Sequence, residues 1–79
     1  MKLILYHFEA CPYCETVRQA IDRLNVPNIE YRDILKEPRY RDELARMNGT
    51  RQVPCLIIDG KPMLESADIV SFLEKSFGS

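Results

Sequence analysis

Apolar and polar positions change period along this chain, and the changes divide it into elements. Leu3 to Tyr6 is a continuous apolar run, the pattern of a strand buried on both faces. From Cys11 the period becomes helical: Cys14, Val17, Ile21 and Leu24 recur at the spacing of one inward face. Pro12 suits the first turn, where no N–H donor is needed, and Asn25-Val26-Pro27 ends the helix. Ile29-Glu30-Tyr31-Arg32-Asp33-Ile34 alternates and reads as a second strand. A second helix is predicted from about Pro38 to Met47, with Tyr40, Leu44 and Met47 on one side and Asn48-Gly49 as its stop. Cys55-Leu56-Ile57-Ile58 is a third strand, and Asp59-Gly60 a hairpin signal. Lys61 to Leu64 would return antiparallel. Ser66 is then expected to cap a last helix, whose Ile69, Val70, Leu73 and Phe77 form the buried face.

The order β-α-β-α-β-β-α predicts an α/β domain, a four-stranded mixed sheet layered with three helices. The first two strands, joined through a helix, should be parallel with a right-handed crossover. The closing hairpin adds an antiparallel edge. With 79 residues, one domain spanning 1–79 is expected, and so small a core depends on regular packing. Eleven basic and twelve acidic side chains leave a formal charge of -1, which suggests neither a nucleic-acid partner nor an anionic membrane. No apolar run approaches the roughly 20 residues of a membrane helix. Met1 to Tyr6 begins at once as a strand and lacks the regions of a secretory signal. The cytoplasm is therefore the expected location.

Cysteine usage adds chemistry to this frame. An odd count of three argues against a structural disulfide framework; in a reducing compartment a close pair is catalytic or metal-binding. Cys11-Pro12-Tyr13-Cys14 is such a pair, placed at a helix start. Unpaired backbone N–H groups and the positive end of the helix dipole favour the Cys11 thiolate, the attacking species. Cys14 lies one turn further in, on the apolar face, where burial disfavours its thiolate. Cys11 should therefore attack and Cys14 resolve. Zinc would need about four ligands, and only Cys55 and His7 could join the pair. Cys55, opening a strand after Val53-Pro54, is either a small buried hydrophobe or a modulating thiol near the site. His7 either packs or tunes Cys11 electrostatically.

Cys11-Pro12-Tyr13-Cys14, Gly49-Thr50-Arg51-Gln52-Val53-Pro54 and the Glu65-Ser66 helix start, in that order, resemble a dithiol glutaredoxin over essentially the whole chain. The resemblance implies a thioredoxin-like fold. It also implies a cis Pro54 lying against the cysteines, with the Val53 backbone turned outward to pair with a peptide-like ligand as a strand edge does. Glutathione is the implied co-substrate, with no other bound cofactor and no metal. Val53 would bind its cysteinyl backbone, Arg51 would face the glycyl carboxylate with Gln52 close by, and Tyr13 would flank the sulfur. The helix beginning near Ser66 would take the γ-glutamyl carboxylate, and Glu65 or Asp68 would hold the ammonium.

Two positions depart from the family pattern. Many glutaredoxins carry a lysine three residues before the first cysteine, where this chain has Phe8. That removes one contact to the glycyl carboxylate and one charge beside Cys11. Met63-Leu64-Glu65-Ser66 stands where Gly-Gly is common, and it resembles the Glu-Ser glutathione site of the N-terminal domain of glutathione transferases.

The implied activity is glutathione-dependent thiol–disulfide exchange through Cys11 and Cys14, serving electron transport and redox homeostasis. Its substrates would be glutathionylated or disulfide-containing proteins, and the chain would act as a monomer. Three alternatives stand beside it: an iron–sulfur cluster carrier, a non-catalytic glutathione-binding module, and a redoxin reduced by thioredoxin reductase. Pro12 and Tyr13 count against the first, since cluster binders more often have smaller residues there. The retained Cys14 counts against the second.

Overall fold

In the computed structural model, residues 1–78 are described; the end of the expected domain, Ser79, lies outside the described residues. The elements run β1 (Leu3–His7), α1 (Pro12–Leu24), β2 (Ile29–Asp33), α2 (Pro38–Asn48), β3 (Cys55–Ile58), β4 (Lys61–Met63) and α3 (Ser66–Phe77). The strands form one sheet in the order β2-β1-β3-β4. Strand β1 pairs parallel to β2, with Leu3 opposite Ile29 and His7 opposite Asp33. On its other side β1 pairs antiparallel to β3, with Tyr6 opposite Cys55, and β3 pairs antiparallel to β4. This is the mixed α/β sheet expected from the element order, and it is the thioredoxin-like fold that the family resemblance implied.

Alternation along the two central strands divides the core. Leu3, Leu5 and Leu56 point to the face covered by α1 and α3, where they pack with Val17, Ala20, Ile21, Ile69 and Leu73. Ile4, Tyr6, Cys55 and Ile57 point to the other face and pack with Leu44 of α2 and with Ile34. The continuous apolar run of β1 therefore serves two cores at once. On the α2 side the Tyr6 hydroxyl donates to Glu43 Oε1 at 3.1 Å, and Arg32 Nη1 donates to both oxygens at 2.9 and 3.0 Å. The Arg32 guanidinium also lies 5.5 Å from the centre of the Tyr40 ring. A buried hydroxyl at the end of β1 is thus satisfied, and α2 is tied to the sheet.

Local signals act largely as read. Asp59 (φ 48°) and Gly60 (φ 87°) supply the two positive φ angles of a two-residue hairpin turn, and Gly49 ends α2 at φ 73°. Four departures have local causes. Strand β1 continues to His7 because Ile34 N–H donates to the His7 carbonyl at 2.9 Å. Strand β2 stops at Asp33, whose carboxylate accepts the amides of Leu35 and Lys36 and turns the chain, so Ile34 enters the α2-side core. Strand β4 stops at Met63, and Leu64 packs against that same core. Met47, expected inward, falls in the last turn of α2 and remains 43% exposed.

The expected cap of α3 is also corrected. Glu65, not Ser66, occupies the N-cap, with φ 71° and its carbonyl accepting from the Ile69 amide at 3.0 Å. Ser66 is already helical, so its hydroxyl is no longer placed to cap. Among the described residues no side chain caps this helix.

Candidate functional site

The loop between β1 and α1 delivers the two cysteines. Cys11 is the N-cap of α1, in extended conformation, and its Sγ accepts the Cys14 amide at 3.3 Å. A sulfur that caps a helix sits beside the open amides of its first turn. Cys11 is 6% exposed and Cys14 fully buried. Burial, reinforced by the hydrogen bond to Cys11, pushes the Cys14 thiol up to about 12; the Phe8 backbone and the Arg18 charge pull weakly the other way. The helix face thus makes the two sulfurs unequal. Cys55 sits in the α2-side core, where burial pushes it up to about 11. It is packing material rather than a second reactive thiol.

Beside this loop lies an open groove of about 440 Å³, lined by Tyr13, Gln52, Val53, Pro54, Glu65 and Ser66. Three separate segments meet there: Tyr13 (one of the two residues between the cysteines), the stretch that leads into β3, and the start of α3. The Val53–Pro54 bond is cis. Tyr13 is 67% exposed and contributes to the groove wall. Gln52 Nε2 donates to Glu65 Oε1 at 3.3 Å and links the second segment to the third. Arg51 and Asp68 are exposed and do not line the groove. Asp68 stands in the first turn of α3, where it complements the helix dipole.

Glu65 is the conformational outlier of the site. A φ of 71° on a residue with a β-carbon costs of order 1–3 kcal/mol, and such residues persist where the surroundings or the function require them. This geometry starts α3 at the groove edge, with Ser66 as its first residue. Helix starts leave N–H groups without helical partners, which suits an anionic group.

Sequence reasoning did not single out Arg18. Its guanidinium spans the base of the β1–α1 loop: Nη1 reaches His7 Nδ1 at 3.0 Å and the Phe8 carbonyl at 3.2 Å, and Nη2 reaches the Glu9 carbonyl at 3.0 Å. The signal was its place one turn after Cys14, beside the apolar face rather than opposite it. His7 is half-buried, and burial together with the Arg18 charge holds its titration below the ordinary value of 6.5. Its ring packs edge-on against Tyr31, with centroids 5.4 Å apart. Phe8, the departure noted in the sequence, packs against the α2-side core.

Comparison with known proteins agrees with this fold. The profile of the family "Glutathione S-transferase, N-terminal domain" matches residues 5–79. Glutathione S-transferase 1 of Manduca sexta is 30% identical over 81 aligned positions, covering all of this chain and 37% of that protein. Glutaredoxin 2 of Escherichia coli is 36% identical over 75 positions, covering 94% of this chain and 34% of that protein. Among solved structures, an epsilon-class glutathione S-transferase from the housefly, Musca domestica, superposes with a TM-score of 0.82 at 26% identity, over 99% of this chain and 36% of that one. The chain therefore spans little more than a third of the length of these relatives.

Proposed function

We propose that this chain, which belongs to the glutathione S-transferase N-terminal domain family, works as a glutathione-dependent thiol–disulfide oxidoreductase. One observation carries the reading. Tyr13, which directly precedes Cys14 and lies between two unequal cysteines, lines the same groove as Val53, Pro54, Glu65 and Ser66. A ligand seated along that groove brings its sulfur to the mouth of α1.

Reduction of a protein–glutathione mixed disulfide then proceeds by two exchanges. The Cys11 thiolate attacks the glutathionyl sulfur; that S–S bond breaks, and the protein thiolate leaves and takes a proton. The thiolate of a second glutathione attacks the sulfur now bound to Cys11, and oxidised glutathione departs as the Cys11 thiolate is restored. With a protein disulfide, Cys11 forms the mixed disulfide and Cys14 displaces the substrate, leaving a Cys11–Cys14 disulfide. Both electrons come from glutathione in the first route and from the dithiol in the second. Cys14 is held protonated partly by its neighbour Cys11. Once Cys11 carries a disulfide that contribution is gone, and the resolving thiol loses its proton more readily.

The groove residues act as binders. The Val53 backbone pairs with the cysteinyl backbone of glutathione, and the start of α3 at Ser66 receives the γ-glutamyl carboxylate. Glu65, held by Gln52, lies where the ammonium of the same moiety belongs. Tyr13 covers the sulfur. Arg51 and Asp68 lie outside the groove wall and contribute charge to its approaches, Arg51 toward the glycyl carboxylate. We place this work in a reducing compartment such as the cytoplasm.

Turnover of a glutathionylated peptide with glutathione and its reductase is the direct test. Cys11→Ser should lose essentially all activity. Cys14→Ser should keep mixed-disulfide reduction while losing reduction of protein disulfides. Full turnover by Cys11→Ser would exclude the mechanism. A second reading, glutathione transfer to an electrophile, is favoured by the transferases among the relatives. It predicts conjugation of an aromatic halide by Cys11→Ser and Cys14→Ser alike.

A further inference from the structure

The β1–α1 loop is held by more than its own backbone. The Cys11 amide donates to the Phe8 carbonyl at 3.2 Å, and that same carbonyl accepts from Arg18 Nη1 at 3.2 Å. The second Arg18 nitrogen takes the next carbonyl, Glu9, at 3.0 Å. A planar guanidinium can grip two successive carbonyls at once, with charge-assisted bonds stronger than neutral ones. Its third contact is the revealing one. An arginine only donates, so His7 Nδ1, at 3.0 Å from Nη1, must be an acceptor and His7 must be neutral.

We propose that Arg18 is a positioning residue for the dithiol, fixing the Phe8–Glu9 carbonyls that set Cys11, and that His7 is the switch that keeps this grip at neutral pH and releases it on acidification. The proposal rests on the reading of Cys11 as the nucleophile. Protonation turns Nδ1 into a donor aimed at a donor and places a second positive charge against the guanidinium. The groups facing His7 are Arg18 from α1, Tyr31 and Asp33 from β2, Glu9 from its own loop and Lys36 from the loop before α2. Glu9 and Lys36 pair with each other at 3.3 Å. Burial, Arg18 and Lys36 disfavour the imidazolium, whereas Asp33 and Glu9 favour it, and the balance keeps His7 neutral above its ordinary value of 6.5. The grip is therefore intact at pH 7 and fails as pH falls below 6.5, through the lowered titration of His7.

Alkylation of Cys11 by iodoacetamide, followed by peptide mapping from pH 5 to 8, tests this on the whole chain without any glutathione assay. Arg18→Met should slow Cys11 alkylation at pH 7 by roughly fivefold, the effect of about one lost hydrogen bond, and Arg18→Lys should recover part of it. His7→Asn keeps an acceptor near the Nδ1 position but cannot titrate. The rate of wild type relative to His7→Asn should be flat above pH 7 and fall below pH 6. His7 is the only histidine, so its NMR titration is unambiguous. The Cys11 amide shift should follow that titration in wild type and not in Arg18→Lys or Arg18→Met. Wild-type alkylation by a folded Arg18→Met, or a Cys11 amide blind to His7 protonation, overturns the proposal. Should Arg18→Met not fold, the His7→Asn ratio and the wild-type amide titration decide alone. A wild-type Cys11 that alkylates no faster than Cys55 fails the underlying reading, and this proposal with it.

Discussion

Single residues in this protein are set by where they meet water and the helix end. Cys11 and Cys14 are identical side chains one turn apart, yet one caps the helix and the other is buried on its apolar face. The Cys14 and Cys55 thiols, held up at about 12 and about 11 in the folded chain, keep protons that the unfolded chain releases near 9.0. The folded state therefore binds more protons above pH 9, and its stability falls as pH rises through this window. Chemical denaturation between pH 8 and 11 should show that loss, and Cys55→Ala should make it shallower. Glu65 offers a prediction with two signs. Glu65→Gly relieves a φ of 71° and should raise stability by about 1 kcal/mol. It also removes the acceptor of Gln52 and a charge from the groove, so glutathione affinity should drop, as calorimetry would show. Most of these residues were legible in the chain: the cysteine pair, the Val53-Pro54 step and Glu65-Ser66 are local motifs. Arg18 was not, because its partners are backbone carbonyls of a loop whose course depends on how β1 meets α1.

At the scale of elements, helix faces and turn residues carry most of the information. The helical period of α1 and α3 identified their inward sides, since both lie on the same face of the sheet and bury a full stripe. Leu73→Ala, at the fully buried centre of that layer, should cost about 2–5 kcal/mol. Helix α2 stands alone on the other face and buries only Leu44 completely, which is why its period misplaced Met47. Gly49→Ala should cost about 1 kcal/mol through its φ of 73° alone, as open space surrounds the added methyl group. Thermal melting separates the two effects by size. The cap of α3 was misread because Ser is a favoured cap and Glu is not. The local preference was overridden by the left-handed turn that Glu65 takes on entering the helix.

For the molecule as a whole, the central strands divide their side chains between two cores, and the groove forms at one end where three distant segments converge. A ligand there ties the β1–α1 loop, the approach to β3 and the start of α3 together, so it should stabilise the fold by mass action. Glutathione at a hundred times its dissociation constant should add about 2.7 kcal/mol, seen as a rise in melting temperature. Gln52→Ala should diminish that rise without lowering the melting temperature of the free chain, because Gln52 is exposed. The order of elements, the inward faces of α1 and α3, the hairpin and the place of the close cysteine pair at a helix start were determined by the sequence alone, because each depends on residues within one or two turns of each other. The strand order, the company that Tyr13 keeps with Glu65 and Ser66, the withdrawal of Arg51 and Asp68 from the groove wall and the grip of Arg18 on the loop were decided only in three dimensions. Each depends on which backbone groups and surfaces are brought together across the chain, and no local spacing encodes that.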